Sequence, residues 1–236
     1  MSTPSMSTQP TAADPATPDR AAAAVASLVE AVQRADSALG LLQATQALAA
    51  AAHPAAAPCL VEVLGFNNPG AAVAAVDGLI AIGVPAVDTI LTHIDGHNYG
   101  ARAWAVRALA FIGDVRGLDV LEDALGKDIG PSVRRAAARG LGQLRLEALP
   151  DAERLAVLNR CLQALSEGCR DGEWVVRYAV VVGLEALAPA VSGLADGPAR
   201  LQAALRGLAT DPAEEAAVVQ LRAQLALNRL AVLADG

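Results

Sequence analysis

Apolar positions along this chain recur with the spacing of an amphipathic helix, and the whole pattern then repeats. Val73, Val76 and Ile80 fall on one face of a helix that should follow Pro69 and end at Gly83. Similar segments begin at Asn98, Gly130 and Glu173. A period of roughly thirty residues is typical of repeat proteins in which helix pairs stack on one another. The pattern therefore predicts an all-α, right-handed solenoid of HEAT-like helix pairs.

The same pattern predicts where each helix lies. Residues 1–19 are rich in proline, serine and threonine and are expected to form a disordered extension. Residues 20–236 are expected to form a single solenoid with capping helices at both ends. A Gly/Pro-rich break is expected at 189–198. The predicted helices cover 20–34, 37–52, 54–65, 69–83, 86–94, 101–112, 117–125, 132–144, 150–166, 173–187, 198–209 and 212–233.

Composition narrows the class of protein. Alanine dominates, and aromatic residues make up only 3% of the chain, which suits thin, closely packed helices. The net charge is -7 and Lys127 is the only lysine, so we expect no nucleic-acid partner. Three cysteines without metal-ligand spacing favour a reducing compartment, and we expect a cytoplasmic protein. No apolar run approaches the roughly twenty uncharged residues that a membrane span needs, and no membrane partner is expected.

Arginine and aspartate recur at equivalent places in the repeats. Arg102, Arg134 and Arg177 open the second helix of three pairs. The preceding turns carry aspartates at positions 95, 128 and 171. The preferred interpretation is a structural ladder in which each arginine bridges to the aspartate or to carbonyl groups of the neighbouring turn. The alternative is that these residues bind a ligand.

One position changes its charge from repeat to repeat. It is Asp77 in the first copy, Arg107 in the second, Arg139 in the third and Val182 in the fourth. A packing role would favour the same residue each time, so the variation indicates a surface adapted to a ligand. An ordinary solvated helix face is the alternative.

Four of the six aromatic residues lie beside arginines near the starts of second helices: Tyr99, Trp104, Trp174 and Tyr178. Rings and guanidinium groups together could hold a flat, conjugated molecule that bears carboxylates. Alternatively, the tryptophans fill gaps in an alanine-rich core. His93 and His97 flank Asp95, but no further ligand follows at a helical spacing, so no metal site is expected. The residues alone show no catalytic signature.

Two segments resemble a known family. Asn98-Tyr-Gly-Ala-Arg-Ala-Trp-Ala105 and Trp174-Val-Val-Arg-Tyr-Ala179 are similar to the F-type subunits of cyanobacterial phycobilin lyases, above all to the beta subunit of the lyase for the phycocyanin alpha chain. The resemblance covers about 31–187. It implies a heterodimer with an E-type subunit, which attaches phycocyanobilin by a thioether to a cysteine of the phycocyanin alpha chain. The bilin is then a substrate, and no cofactor is expected.

The resemblance also implies roles for individual residues. The acceptor thiolate would add to the ethylidene group of the bound bilin, and Tyr99 or His97 would manage a proton. The lack of a His-Cys dipeptide, which marks an isomerising branch of the family, favours simple attachment. A non-catalytic HEAT-repeat scaffold or an adaptor for phycobiliprotein turnover is the alternative. The expected substrate-binding residues are Asp77, Arg102, Trp104, Arg107, Arg134, Arg139, Trp174 and Tyr178.

Overall fold

The structure is a computed structural model that describes residues 16–94 and 98–234. Twelve α-helices occupy these residues, and short 3-10 turns precede three of them. The predicted solenoid of helix pairs is confirmed. The helices are α1 (Ala16–Gln33), α2 (Ala38–Ala50), α3 (Ala57–Val63), α4 (Pro69–Ile82), α5 (Val87–His93), α6 (Tyr99–Ile112), α7 (Leu118–Lys127), α8 (Pro131–Leu141), α9 (Asp151–Gly168), α10 (Trp174–Val191), α11 (Gly197–Thr210) and α12 (Ala217–Ala234).

Local signals in the sequence explain how the second helix of a pair begins and ends. The side chains of Asn68 and Asn98 accept hydrogen bonds at 3.0 Å from the backbone N–H groups of Ala71 and Ala101, so each caps its helix. Gly113 ends α6 in the left-handed region, at φ 69°, which a residue without Cβ adopts freely. These caps fix the residue at which α4 and α6 begin. They therefore help to determine which side chains of each helix are exposed.

The helices form two layers. Helices α2, α4, α6, α8, α10 and α12 pack one after another and form what we call the second layer. The first layer contains α1, α3, α5, α7, α9 and α11. The apolar core lies between the layers and between successive pairs. Exposed side chains on neighbouring second-layer helices therefore face solvent side by side.

Small residues allow the second-layer helices to approach closely. A Cβ on Gly142 would lie 2.5 Å from the Cα of Gly183, and a Cβ on Gly140 would lie 2.7 Å from the Cα of Ala110. No side chain fits at either position without a backbone shift. The contact of α6 with α8, and of α8 with α10, is therefore close, and this brings the surface residues of α6 near those of α8.

Several predicted boundaries were wrong. Helix α10 continues through Pro189 to Val191, because Leu187 and Val191 stay buried and hold the last turn although Pro189 lacks an N–H. Helix α8 ends at Leu141 and not at 144, and α12 begins at Ala217 and not at 212. Helix α1 begins at Ala16 and not at 20, so 16–19 belong to the helix and not to the expected disordered extension. The rest of that expected extension, 1–15, lies outside the described residues.

One described helix, α10, is long and apolar enough to cross a bilayer. The bent pair Pro69–Ile82 and Val84–His93 passes the same test only when its two halves are taken together. Helix α10 packs against α8, α9, α11 and α12. Its apolar character is accounted for by this central position, where several of its faces are buried.

Candidate functional site

The recurrent arginines join successive repeats. Arg134 donates from Nε and Nη2 to the two carboxylate oxygens of Asp171, at 2.6 and 2.9 Å. Its Nη1 donates to the backbone carbonyl of Asp128 at 2.9 Å. Arg177 repeats this arrangement with Glu214, at 2.6 and 2.7 Å, and with the carbonyl of Asp171 at 2.6 Å. Each guanidinium thus ties the turn of its own repeat to an acidic side chain of the next.

Arg102 makes the first described rung of this ladder. It donates to Asp123 at 2.9 Å and to Asp128 at 3.4 Å. Asp95, in the turn before it, lies outside the described residues. The ladder interpretation is confirmed, with one correction: the carboxylate partner belongs to the following repeat, not to the turn just before the arginine. The substrate-binding roles expected for Arg102 and Arg134 stay predictions.

Tyr99 also contacts the ladder. Its hydroxyl donates to Asp128 Oδ1 at 3.2 Å, and a Cβ on Gly130 would overlap that hydroxyl. Burial and the negative charge of Asp128 raise the pKa of Tyr99, so its hydroxyl is a weaker acid than usual. The catalytic role of Tyr99 stays a prediction, and His97 lies outside the described residues.

A surface pocket of about 250 Å³ lies between α6 and α8, and we call it the arginine pocket. Trp104, Arg107 and Arg139, three of the residues selected from the sequence, line it together. The guanidinium carbon of Arg107 lies 5.8 Å from the centre of the Trp104 ring, within cation–π range. The full lining is Ala103, Trp104, Arg107, Phe111, Ser132, Val133, Arg135, Ala136 and Arg139.

The arginine pocket has an excess of positive charge. No acidic residue lines it, and within residues 21–94 and 98–232 its arginines make no ion pair or side-chain hydrogen bond. All three arginines, at positions 107, 135 and 139, are exposed. In a chain whose net charge is -7, such a cluster favours an anionic ligand. Trp104 and the exposed Phe111 add aromatic surface for a flat ring system.

Two lining residues were missed from the sequence. Arg135 follows the recurrent Arg134 directly and was overlooked for that reason. Its spacing of four residues from Arg139 places both on one face of α8, and this spacing is the signal that could have identified it. Phe111 lies near the end of α6 and is 59% exposed. The helical spacing from Arg107 to Phe111 is the signal that could have identified it.

The remaining selected residues lie elsewhere. Asp77 is exposed on α4 and does not line the arginine pocket. Trp174 is the first residue of α10 and is 47% exposed, so it does not fill a gap in the core. Tyr178 is partly buried and stacks with Arg222, whose guanidinium carbon is 6.0 Å from the ring centre. The structure therefore separates the two α10 aromatics from the site on α6 and α8.

A second pocket, of about 270 Å³, adjoins the first at the turn before α4. Trp104 lines both pockets and stands between them. The second pocket reaches Asn98 and Gly100 at the start of α6, beside Tyr99. A ligand longer than either pocket would therefore cross the Trp104 ring.

A larger pocket, of about 510 Å³, lies in the first layer between α7 and α9. Its Arg160 is already paired with Glu122 and, at 2.6 Å, with Asp119. Glu122, Glu167 and Asp171 also line this pocket, so acidic groups balance its positive charge, unlike that of the arginine pocket. Among the residues that the structure describes, no group of three or more histidine, cysteine, aspartate or glutamate side chains is placed to hold a metal ion.

Comparison with known proteins assigns the family. The HEAT-repeat family model matches residues 68–142 and 96–163. A phycobilisome maturation protein from Synechococcus elongatus is 49% identical over 207 residues, covering 86% of this chain and 97% of that protein. The phycocyanin alpha phycocyanobilin lyase CpcF of Synechocystis sp. is 55% identical over 161 residues, covering 68% of this chain and 75% of that protein. The chain belongs to the beta-subunit family of the phycocyanobilin lyases.

A solved structure of this lyase family supports the same assignment. The complex of CpcE and CpcF of phycocyanin lyase from Nostoc sp. PCC7120 contains a chain with 42% identity and a TM-score of 0.67. The match covers 74% of this chain and 99% of that one. The resemblance read from the two short segments is thereby confirmed.

Proposed function

We propose that this chain is the beta subunit of a heterodimeric lyase. With an E-type subunit, it attaches phycocyanobilin through a thioether to a cysteine of the phycocyanin alpha chain. The Synechocystis relative is named as a phycocyanin alpha phycocyanobilin lyase, and the Nostoc structure is a complex of CpcE with CpcF. The reducing compartment suggested by the three free cysteines favours a cytoplasmic reaction.

The observation that supports a bilin-binding role for this subunit is the arginine pocket. A bilin combines a long conjugated ring system with two propionate carboxylates. Trp104 and Phe111 offer aromatic surface, and the arginines offer donors without carboxylate partners among the described residues. Arg107 and Trp104 are the pair selected from the sequence that most directly combines both properties.

The subunit contributes mainly by holding the bilin. The acceptor sulfur forms a bond to the exocyclic ethylidene carbon, and the double bond between that carbon and the end ring becomes single. The proton released from the thiol is taken up by the ring carbon of the former double bond. An extended, fixed bilin presents that carbon to one thiol, and positioning of this kind supplies much of the acceleration. Tyr99 lines neither the arginine pocket nor the second pocket, and its proton role stays a prediction.

The cysteines of this subunit are poor nucleophiles. Cys161 is fully buried and Cys169 partly buried, and burial raises the pKa of both thiols to about 12. Burial also raises the pKa of Cys59. Because the thiolate is the reactive form, these residues compete little for the bilin. This favours non-covalent holding by the subunit and attachment to a thiol of the acceptor.

The proposal is tested by co-expressing the chain with an E-type subunit, a phycocyanobilin source and the apo-phycocyanin alpha chain. Zinc-enhanced fluorescence of the denatured alpha chain reports covalent attachment. The variant R107A/R139A should lower attachment by about tenfold or more, since each lost charge-assisted contact contributes about 1.5–3 kcal/mol. Its helicity should equal that of the wild type.

Two controls make the result specific. R34A/R206A removes one exposed arginine from the turn after α1 and one from α11, neither of which lines the pocket, and should leave attachment unchanged. Attachment that persists when the chain is omitted would refute the lyase role. Full attachment with R107A/R139A would refute the pocket as the bilin site but leave the family role intact.

A further inference from the structure

Arg134 and Arg135 are neighbours in sequence but lie in opposite environments. The Arg134 side chain is 15% exposed and bound to Asp171. Arg135 is exposed and lines the arginine pocket. Successive helical residues point about 100° apart, so one turns to the ladder and the other to the surface of α8. The equivalent position in α6 is Ala103, which shows that the repeat itself does not require arginine there.

Arg135 and Arg139 are spaced to bind two anionic groups. They lie one turn apart on α8, where residues at this spacing have Cβ atoms roughly 5–6 Å apart. Both side chains line the same pocket. Arg107 approaches from α6 and covers the Trp104 ring. This arrangement leaves the two α8 guanidinium groups as the pair best placed for carboxylates, which each can bind through two parallel hydrogen bonds.

The lining of the pocket points to a ligand that carries more than one negative charge. Three guanidinium groups share the pocket without an acidic neighbour in its lining. Arg160 in the larger first-layer pocket, by contrast, is neutralised by two carboxylates of the chain itself. A single carboxylate would leave two of the three pocket arginines unpaired. A dicarboxylate relieves more of their mutual repulsion.

The size of the pocket indicates which part of a bilin it holds. Its volume of about 250 Å³ is below the roughly 300–1,000 Å³ of pockets that enclose a drug-sized ligand. A linear tetrapyrrole is therefore held only in part. The propionates are on its two central rings, so the central rings would lie beside the stacked pair of Arg107 and Trp104 while the end rings extend beyond the pocket.

We propose that Arg135 and Arg139 form a clamp in which each guanidinium binds one propionate of the bilin, so that the pocket selects tetrapyrroles with two free carboxylates. This inference rests on the proposed function and assigns the substrate class at the same site. The end ring that receives the thiol stays outside the pocket of this subunit. It is left open to the acceptor protein and to the E-type subunit.

The clamp is tested in the purified complex with the E-type subunit, using phycocyanobilin and its dimethyl ester as probes. Dissociation constants are measured from the change in bilin absorbance. The wild type should bind the diacid at least tenfold more tightly than the diester. R135Q should weaken diacid binding about tenfold and change diester binding less than twofold, and R135K should restore part of the loss. R206Q is the matched control and should alter neither constant.

Other outcomes overturn the clamp. The clamp is refuted if the wild type binds the diacid and the diester with equal affinity. It is also refuted if R135Q loses the same affinity for both probes. An unchanged urea midpoint in R135Q separates a binding effect from loss of the fold. If attachment to the alpha chain proceeds but is indifferent to R135Q, the clamp fails while the proposed function stands. If the wild-type complex attaches no bilin, the proposed function fails, and the binding constants still decide on the clamp.

Discussion

Two sets of arginines on the same second-layer helices have different surroundings. Arg102, Arg134 and Arg177 recur in the repeats, are largely buried and are each bound to a carboxylate. The pocket arginines at positions 107, 135 and 139 break the repeat, are exposed and line a pocket without acidic residues. Arginines that recur at the same position of the repeats therefore serve the packing between repeats. Arginines at positions that differ between the repeats form the surface that is suited to a ligand.

The physical reason lies in what each position must satisfy. A ladder arginine sits where two repeats meet. Arg134 and Arg177 each satisfy a backbone carbonyl of their own turn and an acidic side chain of the next repeat. A pocket arginine sits on a helix face that packing leaves free. Its residue type can therefore vary from copy to copy without cost to the stack.

The largest expected effect is on the ladder. R134A would leave the Asp171 carboxylate, 8% exposed, without its cation, and breaking a buried pair in this way costs about 3 kcal/mol. The free energy of unfolding in urea should fall accordingly. The adjacent variant R135A should change it by less than about 0.5 kcal/mol, as is usual for exposed positions. Equal losses in the two variants would remove the distinction between ladder and pocket.

A smaller, pH-dependent effect is expected from the last rung. The hydrogen bond from Arg177 lowers the pKa of Glu214 below its ordinary value of 4.5, although burial acts in the opposite direction. The carboxylate therefore stabilises the fold above pH 4.5. This contribution is lost as the pH falls below 4.5 through the lowered pKa.

Urea unfolding between pH 7 and pH 3 measures this contribution. E214Q should be less stable at pH 7 and should lose less of its remaining stability on acidification. E215Q, at the exposed neighbouring position, is the matched control and should follow the wild type. An acid dependence of E214Q that matches the wild type would exclude this rung as its source.

The smallest expected effect concerns Tyr99. Y99F removes the hydroxyl that donates to Asp128 at 3.2 Å, and a typical hydrogen bond contributes about 1 kcal/mol to stability. If the hydroxyl serves only the ladder, bilin attachment by the complex should stay within about twofold of the wild type. A large loss of attachment with an unchanged urea midpoint would instead support the proton role predicted from the sequence.

The elements that follow from local signals were predictable. Asn68 and Asn98 cap their helices, Gly113 ends α6, and the apolar period locates nearly every helix within a few residues. The end of α10 was not predictable, because its last turn passes Pro189 only by virtue of buried contacts with other helices. A local rule for proline predicted a break that tertiary packing overrides.

The site was predictable in part. Arg107 and Arg139 were identified by comparing the repeats, and Trp104 as an aromatic residue beside an arginine. The structure places all three in one pocket. Trp174 and Tyr178 satisfied the same aromatic criterion but belong to α10, outside that pocket. Whether two side chains on different helices lie close together depends on which faces of those helices pack against each other. The spacing of residues within one helix does not reveal this.

The sequence by itself determined the helices, their pairing into repeats and the family, because caps, apolar spacing and repeated motifs are local properties of the chain. Only the tertiary structure decided that Arg134 binds Asp171 while Arg135 lines the arginine pocket. It also decided that Glu214 completes the ladder. These partners lie tens of residues apart and meet only through the register of stacked helices. That register is set by packing as close as the contact between Gly142 and Gly183.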